Sequence, residues 1–471
     1  MQLSRGFASN TRRILSACSS IIALCGCSME ARSHDMLSNM PLGSETETFS
    51  SAVPEIAIDR ANPQNVAVIW RAISMKEANQ NNAPRDFRCF LSLSRDGGRT
   101  FSEQPLMWSD PRTPVCNSPF VDIGPHGELL IGATLAGVLP QGAPQGAHPF
   151  GQVGVRMSRD WGKTWTATRG LITSNDADKF AQNSAVPPEA IKVPWDGGRG
   201  VIDPETKLIT ISGGFPAPPG EKLHSQRFLT SSPDGGRTWG QIFAFSTADW
   251  PQRWDGSFVA AHGRLAFSYL GDAVPVAGVT CLCIVFGTSI DGGKTIERHL
   301  VARADGFDKL VHYPPISAHP VKEGVYALAI IAKGAPVPQV LVTGDNGTSW
   351  HAMAGPQAAT DVVRVSRPAI AHSPNGGIVL LWRGYHADDS YDMYMVAAAD
   401  GASFGAVLRV SKESTREPEA YRTDYSVTGD FISSLAAAPD TAHAAWTDWR
   451  PGKTGRVMYA RVPIAMLAIK K

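Results

Sequence analysis

Short runs of alternating apolar and polar residues recur along most of the chain. Pro54–Ile58, Asn65–Trp70 and Phe87–Leu93 follow one another before a turn-rich segment that contains Asp and Gly. The same order returns as PFVDI, ELLIGAT and QVGVRMS, as SFVAA, RLAFSY and CLCIVFGTS, and as PAIAH, GIVLLW and YDMYMVAA. Runs of about four to eight such residues, bounded by turn residues, are typical of β-strands. The pattern predicts an all-β chain made of repeated sheet units.

Six turn segments share an arrangement of Asp, Gly and a large apolar residue, and five of them begin with Ser or Thr. They read SRDGGRTF, SRDWGKTW, SPDGGRTW, SIDGGKTI, TGDNGTSW and the shorter AADGASF, and their acidic residues are Asp96, Asp160, Asp234, Asp291, Asp345 and Asp400. An Asp carboxylate pins such a turn by accepting hydrogen bonds from later backbone N–H groups, and Gly supplies positive φ. The intervals between these Asp residues are 64, 74, 57, 54 and 55 residues, which suits one four-stranded unit with its loops.

Repeats of this length predict a β-propeller of four-stranded blades. A seventh unit has three strands and no such turn, over Ile432–Ala438, His443–Trp446 and Arg456–Val462. We expect residues 45–51 to supply its fourth strand, because this would close the ring and leave no open sheet edge. The repeat count predicts seven blades, with six as the alternative.

The N-terminus has the pattern of a targeting segment. A short apolar stretch, Ile14–Cys25, follows basic residues and is too short to span a bilayer as a helix. It ends in LCGC, which resembles the lipobox of bacterial lipoproteins and implies acylation of Cys27; an ordinary cleaved signal peptide is the alternative. We expect a signal peptide at 1–27, a flexible tether at 28–50 and the propeller at 51–471. The protein would be lipid-anchored in the bacterial cell envelope, in the periplasm or at the outer membrane.

Composition narrows the classes of function. The 471-residue chain has 44 basic and 43 acidic residues, so it lacks the basic excess of nucleic-acid-binding proteins. Its His residues have no tight metal-binding spacing, and no phosphate-binding Gly loop or G-x-S-x-G motif occurs. We therefore expect no metal, no cofactor and no nucleic-acid partner, and a monomer.

The six turns and the strands between them resemble the Asp boxes and blades of the sialidase (neuraminidase, BNR-repeat) superfamily, over roughly residues 50–464. The resemblance implies an exo-sialidase-type glycoside hydrolase that acts on terminal acidic sugars of extracellular glycans. A non-catalytic Asp-box propeller that binds glycan or protein is the alternative, because fold does not determine function. In sialidases the propeller has six blades, and the sugar lies on the face opposite the Asp boxes.

Several arginines are expected on that opposite face, near the ends of second strands or the starts of first strands. They are Arg71, Arg253, Arg367, Arg383 and Arg450. A guanidinium group binds a carboxylate through two parallel hydrogen bonds, so these residues are candidate ligands of a sugar carboxylate. The alternative is that they are solvated or paired with nearby acids, namely Asp388, Asp389 and Asp448.

The resemblance also implies three catalytic residues. Sialidases use an acid/base Asp and a Tyr nucleophile with a Glu partner, an exception among glycosidases. Asp86, in the loop before the first Asp box, matches the acid/base position, and Asp255 stands where the Glu is expected. Tyr425 is the candidate nucleophile, with Tyr421 beside it, provided that their loop folds inward.

The chain departs from the family pattern at three positions. Ala52 replaces the first Arg, Asp255 is shorter than the expected Glu, and Phe431 stands where the nucleophilic Tyr is expected. A phenyl ring cannot attack a sugar, so a conventional retaining mechanism requires another nucleophile.

Four cysteines lie in the predicted blades. Cys89 and Cys116 are expected near the candidate face and would pair in an oxidising envelope; buried free thiols are the alternative. Cys281 and Cys283 alternate along one strand, and we expect them not to pair with each other.

Overall fold

A computed structural model describes residues 39–43, 49–74, 87–106, 108–138, 150–176, 196–215, 226–247, 249–252, 256–276, 279–304, 314–417, 433–450 and 454–469. Within these residues, 28 strands form seven antiparallel four-stranded sheets, which are the blades of a seven-bladed β-propeller. The predicted all-β propeller is confirmed, and its blades number seven. In the described part of the chain, helix is limited to a 3₁₀ turn at Ser174–Asp176 and α1 at Ile464–Leu467, and neither is long and apolar enough to cross a membrane.

Blades I to VI each run from the innermost to the outermost strand in chain order. Blade I is β2 (Phe49–Ile58), β3 (Val66–Ser74), β4 (Phe87–Ser94) and β5 (Ser102–Pro105). Blade II is β6 (Val115–Ile123), β7 (Leu129–Ala136), β8 (Gly151–Ser158) and β9 (Arg169–Thr173). Blade III is β10 (Asp196–Ile202), β11 (Ile209–Phe215), β12 (Gln226–Ser232) and β13 (Phe243–Ala244).

The second half of the ring follows the same order. Blade IV is β14 (Ser257–Ala261), β15 (Arg264–Val276), β16 (Val279–Ser289) and β17 (Glu297–Arg303). Blade V is β18 (Ile316–Ala318), β19 (Tyr326–Ile330), β20 (Gln339–Thr343) and β21 (His351–Ala352). Blade VI is β22 (Arg364–His372), β23 (Ile378–Tyr385), β24 (Tyr391–Ala398) and β25 (Leu408–Arg409), and blade VII is β26 (Ser434–Ala437), β27 (Thr441–Asp448), β28 (Arg456–Pro463) and β1 (Met40–Leu42).

The ring is closed by the N-terminal strand β1, which pairs antiparallel with β28 as the outer strand of blade VII. The expectation that residues 45–51 supply this strand is wrong, because residues 49–51 pair with β3 as the start of the innermost strand of blade I. Both β1 and the first residues of β2 thus belong to sheets, inside the range 28–50 that we expect to be a tether. The proposed lipobox and Cys27 lie outside the described residues.

The apolar core lies between neighbouring blades. One cluster joins blades II and III through Phe120, Val153, Ile211 and Phe228, all 2 % exposed or less. Phe120 fits only because Gly132 beside it has no side chain: a Cβ there would lie 2.0 Å from the Phe120 ring. Similar clusters join blades I and II, III and IV, V and VI, and VII and I.

Side chains in or beside the innermost strands also link neighbouring blades. At six of the seven blade boundaries, within the part of the chain that the structure describes, a side chain of one blade accepts a hydrogen bond from a backbone N–H of the next. The acceptors and donors are Glu55 and Val121, Asp122 and Ile202, Asp203 and Gly263, Ser257 and Ile316, Ser317 and His372, and Ser434 and Ile56. Edge N–H groups that would otherwise be unsatisfied near the axis are thus bonded.

The six Asp-bearing turns each join the third and fourth strands of a blade. In the blade III turn, Asp234 accepts hydrogen bonds from the Thr238 N–H (2.8 Å) and hydroxyl (2.6 Å) and from the Ser232 hydroxyl (2.9 Å). The Thr238 hydrogen bonds lower the pKa of Asp234 to about 2. In the shorter blade VI turn, Asp400 bonds to the N–H groups of Ala402 and Ser403 instead, both at 2.9 Å.

The four described cysteines form two disulfides. Cys89 and Cys116 pair across the boundary between blades I and II, which is one of the two alternatives left open above. Cys281 and Cys283 also pair, so the expectation that they do not is wrong. The β15–β16 ladder shifts register opposite these residues, and their Cα atoms lie 5.5 Å apart, within the range that a disulfide spans.

Candidate functional site

The strand order gives the propeller two faces. The turns between first and second strands and between third and fourth strands lie on one face, which we call the Asp-turn face. The loops between second and third strands, and the connections to the next blade, lie on the other, which we call the loop face. Arg71 and Arg383 lie near the loop-face ends of β3 and β23, as the sequence predicts.

Four of the predicted catalytic and substrate-binding residues lie outside the described residues: Asp86, Arg253, Asp255 and Tyr425. Tyr421 and Phe431 lie outside them as well. The acid, the nucleophile and its partner therefore stay predictions, and the site is built here from the remaining arginines and their surroundings.

Three blades share a bulge in the innermost strand, each at a residue that precedes Pro. Val53, Ser118 and Arg367 have φ of 57°, 43° and 50°, and the strand register shifts at each of them. Positive φ is costly for a residue with a side chain and is usually found where the surrounding structure enforces it, often at functional sites. The sequence signal is the triplet A-V-P, N-S-P or S-R-P at residues 52–54, 117–119 and 366–368.

Arg71 lies directly across from the bulge of blade I, because its Cα partner on β2 is Ala52. The residue is only 4 % exposed, and its Nη1 donates a hydrogen bond to Oδ1 of Asn117 in blade II. The guanidinium carbon lies 5.0 Å from the centre of the Phe87 ring. A buried guanidinium is thus held by an amide on one side and an aromatic ring on the other.

Arg383 occupies the equivalent position in blade VI. Its Cα partner on β22 is Ser366, beside the bulge, and a tryptophan precedes it just as Trp70 precedes Arg71. Its side chain is completely buried, its Nη1 binds the Glu417 carboxylate, and the Tyr385 hydroxyl lies 3.5 Å from both. The acid is a residue that the sequence interpretation missed, since 34 positions separate Glu417 from Arg383.

Arg450 does not occupy this position in blade VII. Arg383 lies within β23, whereas Arg450 lies two residues beyond the end of β27. It forms a two-pronged ion pair with Asp448, with distances of 2.8 and 2.9 Å. For Arg450 the alternative interpretation, in which the arginine is paired with a nearby acid, therefore holds.

Arg367 lines a cavity of about 300 Å³ on the propeller axis, walled by residues of all seven innermost strands. In this cavity Arg199 Nη1 lies 2.9 Å from Oε1 of Glu55. Burial raises the pKa of Glu55, against the opposing effect of Arg199. Burial also raises the pKa of Asp122 to about 6, although Ile202 and Ile123 donate backbone hydrogen bonds to it. The volume suits a small ligand or part of a larger one.

The remaining acids named as possible partners have other contacts. Asp389 lies 3.6 Å from Arg364, and Asp388 accepts hydrogen bonds from Ser390. Among the described residues, no group of three or more His, Cys, Asp or Glu side chains is placed to hold a metal ion. The described chemistry of the loop face and the axial cavity is therefore that of guanidinium and carboxylate groups.

The fold and these groups define a seven-bladed β-propeller with buried arginines at the loop-face ends of its second strands. Among solved structures it is similar to a protein of unknown function from Dyadobacter fermentans DSM 18053, with 14% sequence identity, a TM-score of 0.51, and coverage of 90% of this chain and 98% of that one. It is also similar to the Hadza microbial sialidase Hz136 (12% identity, TM-score 0.46, 92% and 96% coverage). The NanB sialidase from Streptococcus pneumoniae is a further neighbour (9% identity, TM-score 0.43, 92% and 98% coverage).

These similarities concern the fold alone, because identities this low do not carry a site from one protein to another. No protein-family model matches the sequence, and no curated protein matches it.

Proposed function

We propose that this protein is a sialidase-like glycosidase of the exo type, which takes terminal acidic sugars of extracellular glycans on its loop face. One observation carries the proposal. The resemblance to sialidases implies an Arg at position 52, and Arg71 lies directly across from Ala52 on the neighbouring strand. Side chains of such cross-strand neighbours start about 5 Å apart. A guanidinium group is thus present in the same neighbourhood, although it comes from the second strand.

The buried state of the arginines supports a carboxylate ligand. Arg71 and Arg367 are 4 % and 7 % exposed, and Arg367 lines the axial cavity. Charge interactions strengthen where water is excluded, so a guanidinium group in such a place is a strong ligand for an anion. We propose that these two residues bind the sugar carboxylate, and that Arg253 and Arg383 contribute to the same site.

The chemical step is assigned to three residues by resemblance. In the proposed mechanism Asp86 protonates the leaving oxygen while the Tyr425 oxygen attacks the anomeric carbon and gives its proton to Asp255. Asp86 then takes a proton from water, and the water oxygen replaces the tyrosyl oxygen, which takes its proton back from Asp255. Tyrosine suits this role because a neutral phenol approaches an anionic sugar without the repulsion that a carboxylate would meet.

Hydrolysis of a fluorogenic sialoside by the purified soluble domain tests this proposal. The pH range should extend from about 4 to about 8, so that a catalytic acid of any ordinary pKa is sampled. We expect turnover by the wild type and a loss of roughly 100-fold or more in Asp86→Asn. Equal rates in the two proteins would contradict the proposal.

The second candidate is a non-catalytic propeller that binds an acidic glycan, or a protein, on the same face. Two observations favour it: Phe431 stands where the nucleophile is expected, and Arg383 already contacts the Glu417 carboxylate. It predicts binding on a glycan array that is lost in Arg71→Ala, without turnover of any sialoside by the wild type. An array with no bound sugar would count against the glycan version.

We also propose that the protein is anchored in the cell envelope by a lipid on Cys27. The support is the sequence LCGC after a basic and apolar N-terminus. Metabolic labelling with an alkyne fatty acid should mark the wild type and leave Cys27→Ser unlabelled. Equal labelling of the two would contradict this anchor.

A further inference from the structure

We infer that Asn117 is a positioning residue that orients Arg71 toward an anionic ligand, and that the Cys89–Cys116 disulfide holds Asn117 in place. The inference rests on the proposed function in one respect, namely that Arg71 binds an acidic sugar. Asn117 and Arg71 belong to different blades, so their contact depends on how blade II is held against blade I.

The disulfide joins the immediate neighbours of the two residues. Cys89 is the cross-strand partner of Arg71 on β4, and Cys116 directly precedes Asn117 on β6. Both cysteines are 1 % exposed, with Cα atoms 5.8 Å apart. The covalent link therefore crosses the boundary between blades I and II at the level of the Arg71–Asn117 contact.

Asn117 is also fixed within its own blade. Its carbonyl oxygen accepts a hydrogen bond of 2.9 Å from the Thr134 hydroxyl on β7. The next residue, Ser118, has positive φ and precedes Pro119, whose ring restricts the backbone further. The Asn117 residue is 5 % exposed, so it has little freedom to adopt another orientation.

The chemical nature of Asn117 matters as much as its place. Its amide oxygen accepts a hydrogen bond from Arg71 and so orients the guanidinium, but it contributes no negative charge. Arg383, at the equivalent position, contacts the Glu417 carboxylate instead. An acid at position 117 would have nearly the same shape as Asn and would compete with an anionic ligand for Arg71.

Four variants test the inference with 3′-sialyllactose as the probe and lactose as the neutral control, and affinities are measured in an Asp86→Asn background so that little of the probe is hydrolysed during a titration. Asn117→Ala removes the amide, Asn117→Asp keeps the shape and adds a charge, and Cys89→Ala/Cys116→Ala removes the disulfide. The matched control is Cys281→Ala/Cys283→Ala, which removes the other described disulfide, in blade IV. Each variant is used at a temperature well below its own melting transition.

We expect the dissociation constant for 3′-sialyllactose to rise about tenfold in Asn117→Ala and more in Asn117→Asp, and several-fold in Cys89→Ala/Cys116→Ala. It should stay within about twofold in the control. Unchanged affinity in both Asn117 variants would overturn the inference, and so would an equal loss in the control disulfide variant.

A crystal structure of Asn117→Ala separates this inference from the proposed function. We expect the Arg71 side chain to leave the orientation that it has in the wild type, whether or not any sugar binds. An Arg71 side chain that stays in place would overturn the positioning role. If the wild type binds no acidic sugar but Arg71 moves in Asn117→Ala, the proposed function fails while the positioning role stands.

Discussion

The two faces of the propeller are built in different ways. On the Asp-turn face, the third and fourth strands of blade I are joined by seven residues, 95–101, and the Asp96 carboxylate binds groups no more than four positions away. On the loop face, connections reach 12 residues at 75–86 and 24 residues at 410–433. Its contacts join distant positions, such as Arg71 and Asn117, 46 residues apart. The Asp turns of one face are held by neighbouring residues, whereas the described arginine contacts of the other face depend on distant parts of the chain.

The loop face contains a second comparison, between Arg71 and Arg383. Both follow a buried tryptophan and lie across from a bulged innermost strand, so the backbone places them equivalently. The side chains that they contact differ in charge, since Asn117 beside Arg71 is neutral and Glu417 beside Arg383 is an acid. Equivalent positions in two blades therefore hold one guanidinium group beside a neutral amide and one beside a carboxylate. In this way a fold made of repeated blades provides an asymmetric site.

The largest expected effect separates the two faces by activity. Arg71→Ala should lower kcat/KM for a sialoside roughly 100-fold, because truncating one member of a buried charged hydrogen bond costs several kcal/mol. Asp160→Ala, on the Asp-turn face, should leave kcat/KM unchanged. Steady-state kinetics of the two variants check this, and comparable losses in both would contradict the division of roles between the faces.

A smaller effect concerns the free energy of unfolding at acid pH, through a histidine near the Asp-turn face. Burial, with a contribution from nearby His319, lowers the pKa of His372 from 6.5 to about 3. Between these values the unfolded chain binds a proton that the folded protein does not, so stability falls as pH drops below about 6.5. The loss should approach about 1.4 kcal/mol per pH unit for this group.

Replacing the ring tests that pH dependence. Asn can keep a polar atom near the Ser317 hydroxyl, which lies 3.0 Å from Nδ1 of His372, but it does not titrate. Denaturant melts of His372→Asn between about pH 6.5 and 4 should therefore show a shallower decline than the wild type. Parallel declines in the two proteins would rule out His372 as a source of the acid sensitivity.

A still smaller effect tests how strongly one Asp turn supports its blade. Asp234→Ala removes the acceptor for Thr238 and Ser232, and the loss of such a cap should lower the melting temperature by roughly 1–4 °C. Asp400→Ala should cost less, because its turn has Ala398 where the others have a Ser or Thr hydroxyl. Calorimetry at neutral pH compares them, and an equal or larger loss in Asp400→Ala would contradict this ranking.

These contrasts explain which features the sequence predicts. The blades could be found because each Asp turn is held by its own residues, so the signal lies within about eight positions. The closure of the ring by β1 could not be predicted from the sequence, because an outer strand of three residues, Met40–Leu42, has almost no periodic pattern. The loop-face arginines were recognisable as candidates. Their partners Asn117 and Glu417 were not, since only the packing of strands and connections from different blades or distant positions brings them together.

The pairing of Cys281 with Cys283 is a similar case. The expectation assumed a regular strand, and the register shift between Gly271 and Val274 on the neighbouring strand changes the local geometry. A bulge on one strand thus changes which residues of the neighbouring strand can pair, and the sequence of that neighbouring strand does not indicate the bulge.

The smallest expected effect reverses the electrostatic difference between Arg71 and Arg383. Glu417→Gln keeps an acceptor beside Arg383 and removes one negative charge from a side chain that is 19 % exposed. The loop face should then bind an acidic sugar about threefold more tightly, with a steeper dependence on salt. Glu323→Gln, which makes the same charge change at an exposed site on the Asp-turn face, is the matched control and should leave the dissociation constant unchanged.

Titrations with 3′-sialyllactose at two salt concentrations measure both variants. Tighter binding in Glu417→Gln alone would show that the charge of Glu417 weakens the binding of an anion by Arg383. Equal binding by the wild type and Glu417→Gln would mean that the charge of the partner does not distinguish the two arginines.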